Sequence, residues 1–182
     1  MLFRNKKIRY YVRLLTSIIR ISPNFIIIGA ARSGTTSMYN YLNKHPQIVV
    51  SKKKEPNYFS FNYNFLNYFI YKSNFPTFLT KFYHQIIKSK RIISCESSTY
   101  YLFHPHAAKR LSNKYPKVKI IIMLRNPVDR ALSHHNLNVS LNRDKSSFQE
   151  AILNEGERIE KDYNKLLNDG NFDSTRLHYY SY

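Results

Sequence analysis

Phe25-Ile-Ile-Ile-Gly29-Ala-Ala-Arg32-Ser-Gly34-Thr-Thr36 is an apolar run that ends in a loop holding two of the chain's four glycines. The apolar half reads as a buried strand, and the positions after Gly34 read as the start of a helix. A strand, a glycine loop and a helix N-terminus together form an anion nest, because glycine lets backbone N–H groups approach a phosphate closely. The alternative is an ordinary glycine-containing turn, against which stand the hydroxyls of Ser33, Thr35, Thr36 and Ser37.

Working outward, Val118-Lys-Ile-Ile-Ile-Met-Leu124 reads as a second buried strand ending in Arg125, residues 91–95 as a third and 48–50 as a short fourth. Helices are expected at 35–44, 75–89, 105–114, 128–141, 147–154 and 157–167. Pro127 suits a first turn with Asn126 as its cap, and Ser146 or Ser147 stands at capping-box distance from Glu150. Strand and helix alternate, which predicts an α/β three-layer sandwich with a mostly parallel central sheet, covered on both faces. Ligands in such sheets sit beyond the carboxyl ends of the strands, where Gly29, Glu96 and Arg125 are expected to emerge. The aromatic-rich residues 57–75 have no clean period and read as an irregular insertion that packs the core, or alternatively as a sugar-stacking surface.

The net charge of +18 is uneven: the first 128 residues carry 22 Lys and Arg against Glu55 and Glu96 alone, and residues 129–182 carry 7 against 9. Such a field favours anionic ligands, whether nucleotides, sulfated glycans, nucleic acid or acidic lipids. Cys95 is the single cysteine, so an intrachain disulfide is excluded, and its apolar neighbours predict a buried thiol. The basic N-terminal segment, residues 1–22, is interrupted by Arg13 and Arg20 and holds no apolar span of ~20 residues. The chain is accordingly expected in the cytoplasm, with residues 8–21 as an amphipathic stretch for peripheral membrane contact.

A nucleoside-triphosphate P-loop needs lysine directly after its second glycine, where this chain has Thr35, and an Asp-ended strand for magnesium, where it has Arg125. The loop is therefore P-loop-like without the triphosphate machinery. His104, His106, His134 and His135 lack metal-ligand spacing, and no metal is expected.

Ile28-Gly-Ala-Ala-Arg-Ser-Gly-Thr-Thr-Ser-Met-Tyr-Asn-Tyr-Leu42 and Leu124-Arg-Asn-Pro-Val-Asp-Arg-Ala-Leu-Ser-His-His135 resemble the two nucleotide-binding signatures of the PAPS-dependent sulfotransferases, nearest the carbohydrate sulfotransferases of heparan sulfate type and their bacterial relatives. The resemblance covers residues 24–152 and places a sulfotransferase domain at 23–182. It implies that Arg32, Ser33, Gly34, Thr35, Thr36 and Ser37 hold the 5'-phosphosulfate of the donor, 3'-phosphoadenosine 5'-phosphosulfate (PAPS), and that Arg125 and Ser133 hold its 3'-phosphate. Arg32 stands where the family usually has Lys, and would share in catalysis by balancing charge with a forked guanidinium. A competing reading pairs Arg125 with Asp129.

Lys52-Lys-Lys-Glu-Pro-Asn-Tyr-Phe59 is similar to the family's segment that carries the catalytic base, which assigns that role to Glu55 and acceptor or donor contact to Lys54; the alternative for Glu55 is a surface ion pair. Glu96 corresponds to an acceptor-contacting position, although Ser97 replaces a lysine common in relatives and weakens the case for a glycosaminoglycan. The implied acceptor is a carbohydrate or another small hydroxyl or amine compound, with no specific nucleic acid. The alternatives are a basic polyanion- or nucleic-acid-binding module and an inactive sulfotransferase fragment. Family members continue past the last residue here, so the chain is expected to be a fragment lacking the C-terminal part.

Overall fold

A computed structural model describes residues 5–88, 91–169 and 180. Residues 1–4, 89–90, 170–179 and 181–182, which include parts of the expected N-terminal segment, the 75–89 helix and the end of the domain, lie outside them.

Four parallel strands form one sheet in the order β2-β3-β1-β4: β1 (Phe25–Gly29), β2 (Ile48–Val50), β3 (Ile93–Ser97) and β4 (Lys119–Ile122). Helices α1 (Lys6–Leu15), α2 (Thr35–Lys44), α3 (Phe65–Lys72), α4 (Phe78–Ile86), α5 (Ala107–Lys114), α6 (Pro127–Ser140), α7 (Phe148–Leu153) and α8 (Glu155–Asn168) surround it. β1 lies between β3 and β4, in register Ile26 to Glu96 and Ile26 to Ile120. The chain therefore changes direction across the sheet at β1, and the loop after β1 opens at that switch point.

The strand alternation of β1 sends Ile26 and Ile28 toward an aromatic core of Tyr58, Phe59, Tyr71, Phe75 and Tyr101, with Leu111 of α5. Tyr58 and Tyr71 stack at 4.9 Å between ring centroids, and Phe59 meets Tyr101 edge-on at 5.6 Å. The aromatic stretch 57–75 thus packs the core. It is not irregular throughout, because Asn64 caps α3 by accepting from the Asn67 amide at 2.8 Å. Cys95 is fully buried and its thiol is pushed up to about 12 by burial.

The caps read from sequence hold where they are local. The Asn126 side chain accepts from the amides of Val128 and Asp129, with Pro127 in the first turn, and Ser147 with Glu150 forms the capping box of α7. Two expectations need correction. The 75–89 helix begins at Phe78, after the Thr77 cap, and ends at Ile86. The 118–124 strand is shorter, Lys119–Ile122, and not covered on both faces, since Ile120 and Ile122 remain 42% and 49% exposed; it is also an edge, paired with β1 alone among the described strands.

Candidate functional site

The β1–α2 loop is held from both sides. The Ala30 amide donates to the Met123 carbonyl and the Met123 amide to the Gly29 carbonyl, each at 2.8 Å, which ties the loop to the exit of β4. Gly29 has φ +150°, and a Cβ there would stand 2.9 Å from the Leu102 Cβ. Gly34 has φ +83° and directly precedes α2, whose start has no side-chain cap. The first amides of α2 therefore point outward unpaired by the helix, toward any anion in the loop. The Ser33 hydroxyl is buried and has no hydrogen-bond partner among the described residues, while Thr36 and Ser37 are exposed.

Arg32 adopts a left-handed backbone, φ +67°. Its Nε donates to the Ser133 Oγ at 3.0 Å, and its carbonyl accepts from the Arg125 guanidinium at 3.3 Å. Residues a hundred positions apart in sequence are thereby interlocked: the loop, the end of β4 and the first turns of α6 meet at one point. Arg125 makes no ion pair with Asp129 among the described residues.

Glu55 arrives from β2. The chain leaves Val50, and the Glu55 amide donates to the Ser97 carbonyl at 2.8 Å, setting the residue at the carboxyl end of β3 with φ +57°. Its carboxylate is ion-paired with the neighbouring Lys54 ammonium. The ion-pair reading is thus present, yet Glu55 also lines a cavity of about 410 Å³ together with Arg32, Gly34, Thr35, Thr36, Ser37, Arg125 and Ser133. Arg143 adds a third guanidinium to that wall. Three cations against one paired carboxylate make the cleft a place for anions.

Glu96 does not join them. It lies within β3, opposite Ile26, and is fully buried on the aromatic side of the sheet. Burial raises its carboxyl to about 8, partly offset by the Tyr101 and Tyr71 hydroxyls. The expected strand end at residue 95 is two residues early, and in a strand that continues through Ser97 Glu96 is fully buried in the core and does not line the cleft.

The cleft also contains residues that the sequence reading did not select: Thr99, Tyr100, Leu137, Asn138 and Arg143, with His134, which it had set aside. Thr99 and Tyr100 follow β3, so the rule that ligands sit beyond strand ends was the signal for them. Arg143 carried none, since it is returned to the cleft by a turn in which Asn142 has φ +53° and the Arg143 amide donates to the Asn138 carbonyl at 2.8 Å. A second, largely apolar cavity of about 650 Å³ adjoins the first, sharing Ala31, Thr99 and Arg125 and adding Leu102, Phe103 and Tyr163.

The histidines are built into the packing. His104 is buried against Phe61 and its Nδ1 accepts from the His106 amide at 3.2 Å. The His135 Nε2 donates to the Ser146 carbonyl at 3.0 Å. Among the described residues no three His, Cys, Asp or Glu side chains gather as a metal site, and no helix is long and apolar enough to cross a membrane.

Residues 22–181 match the sulfotransferase domain family. The membrane-associated sulfotransferase kil1 of Dictyostelium discoideum is 36% identical over 145 residues, which cover 76% of this chain and 29% of that protein. The heparan sulfate glucosamine 3-O-sulfotransferase 3B1 of Mus musculus is 29% identical over 127 residues, 70% of this chain and 30% of the relative. The chain thus spans less than a third of the length of these relatives. A sulfotransferase from Alicyclobacillus acidocaldarius, known from its crystal structure, superposes with a TM-score of 0.60 at 33% identity, covering 88% of this chain and 64% of that one.

Proposed function

Because this chain belongs to the sulfotransferase domain family, we propose that it transfers a sulfuryl group from PAPS to a hydroxyl or amine, most readily that of a carbohydrate. One observation carries the reading: a single cleft is lined at once by the glycine loop, by Arg125 and Ser133 bonded to its Arg32, and by Glu55. The donor class has two phosphate groups, and the cleft offers two adjoining anion-binding elements. The first is an uncapped helix start beside the buried Ser33 hydroxyl, unpartnered among the described residues; the second is the Arg125 guanidinium beside the Ser133 hydroxyl. The relatives named for heparan sulfate support a carbohydrate acceptor.

When bound, the donor supplies a sulfuryl group activated by its anhydride bond to phosphate. The protein's part is positioning and charge. Gly34, Thr35, Thr36 and Ser37 hold the 5' end with backbone amides and hydroxyls, and Ser133 with Arg125 holds the 3' end. Arg32 balances the negative charge left on the departing phosphate oxygen. Glu55 accepts the proton of the attacking hydroxyl or amine, and Lys54 steers the carboxylate through their ion pair.

The test separates binding from turnover. Adenosine 3',5'-bisphosphate is expected to raise the melting temperature without magnesium. Arg125→Ala is expected to weaken that binding by about 1.5–3 kcal/mol, the range for a hydrogen bond to a charged group. Glu55→Gln is expected to leave bisphosphate binding unchanged and to lower sulfate transfer by about 10²–10⁴-fold. Stabilisation by ATP with magnesium but not by the bisphosphate would overturn the proposal.

A further inference from the structure

Two helices are packed with their apolar sides outward. In α4, Phe78, Leu79, Phe82, Tyr83 and Ile86 recur at helical spacing and form one stripe, yet all are exposed, between 47% and 68%. The helix buries none of its residues, and the side turned toward the body carries Lys81 and His84, both half-buried. In α1 the same inversion holds. Tyr11, Val12 and Leu15 are exposed, Leu15 at 81%, while Ile8, Arg13 and Leu14 are half-buried and no residue of the helix is buried. The helix is pinned instead through Arg13, whose Nε donates to the Ser73 carbonyl at 2.8 Å.

The Ser17–Ile19 turn joins the two. Ile18, 80% exposed, and Ile19 share a groove with Phe78 and Lys81, and Ile18 borders a second groove with Phe65, Phe69 and Lys114. An apolar surface of this kind, assembled from several elements, is not explained by scattered exposed residues.

The charges around it decide the occupant. Residues 5–88 contain one acid, Glu55, which lies in the cleft and is paired with Lys54. Lys6, Lys7 and Arg9 of α1, all exposed, flank the apolar stripe, and exposed Lys88 lies just beyond α4. A second copy of the chain would bring the same cations against one another. An anionic bilayer accepts both features, with apolar side chains entering below the headgroups and lysines meeting the lipid phosphates and carboxylates.

We infer that α1, the Ser17–Ile19 turn and α4 form a docking surface for an anionic lipid bilayer, holding the protein peripherally.

The full chain is to be sedimented with vesicles of phosphatidylcholine alone and of phosphatidylcholine mixed with phosphatidylserine, at physiological salt. Retention is expected on the serine-containing vesicles only. It should weaken at least about tenfold in Leu15→Ser/Ile18→Ser, in Phe78→Ser/Phe82→Ser and in Lys6→Glu/Lys7→Glu/Arg9→Glu. Binding of adenosine 3',5'-bisphosphate by the same variants controls for folding and keeps this test apart from the sulfotransferase reading. Equal retention on both vesicle types, or retention untouched by the serine substitutions, overturns the inference. So does sedimentation velocity showing self-association that those substitutions abolish, with no vesicle retention, since the face would then be a protein interface.

Discussion

Glu55 and Glu96 are the two carboxylates of the first 128 residues, and the fold sends them to opposite environments. Glu55 reaches the cleft because its own amide is bonded to the end of β3. Glu96 is inside β3 and faces Tyr71 and Tyr101. With its carboxyl raised from 4.5 to about 8, Glu96 binds its proton in the folded state where the unfolded chain has released it. The native state then holds more protons than the unfolded one, so stability is fullest below 4.5 and is lost as the pH rises to about 8. Its neighbours Tyr71, Tyr101 and Cys95 are also raised, to values above that window, and do not titrate within it. Denaturant midpoints measured from pH 5 to pH 8.5 are expected to fall for the wild type and to flatten for Glu96→Gln. An equal slope in both would show that another group is responsible. The two acids look alike in sequence; the two-residue difference in where β3 ends separates them, and side-chain alternation makes that difference decisive.

At the scale of elements, α6 shows how local and distant signals divide. Its start is written in Asn126 and Pro127. Its seating depends on Tyr180, fully buried near the other end of the chain. The Tyr180 hydroxyl donates to Asp144 at 2.8 Å and accepts from the Asn138 amide at 3.3 Å, its carbonyl accepts from Arg130 at 2.9 Å, and its ring lies edge-on to His134 and His135 at 5.4 Å each. Ser133 and His134, which line the cleft, ride on the helix so braced. Tyr180→Phe removes the hydroxyl and leaves the buried Asp144 short of a donor, which is expected to destabilise the protein by about 1–3 kcal/mol. Urea unfolding would register this as a lower midpoint at unchanged slope. The missed α3 belongs to this scale too. Its aromatic residues carry no single period because Tyr68 and Tyr71 turn to the core while Phe65 and Leu66 stay exposed.

For the whole molecule, the described sheet leaves β4 as an edge, with Ile120 and Ile122 open to solvent. An unpaired apolar edge is a template for pairing with another chain. Ile120→Lys is therefore expected to suppress concentration-dependent light scattering while leaving bisphosphate binding unchanged; unaltered scattering would place the association elsewhere. The glycine loop, the strands, the parallel α/β class and the cation-rich character of the first two thirds were all determined by the sequence alone, because they rest on backbone conformation, short-range periodicity and composition. Only the tertiary structure decided that Arg32 bonds Ser133, that Arg143 returns to the cleft, that Glu96 is withdrawn from it and that α4 turns its apolar side outward. Those outcomes depend on which side chains meet across the sheet and between distant helices, and no local pattern encodes that meeting.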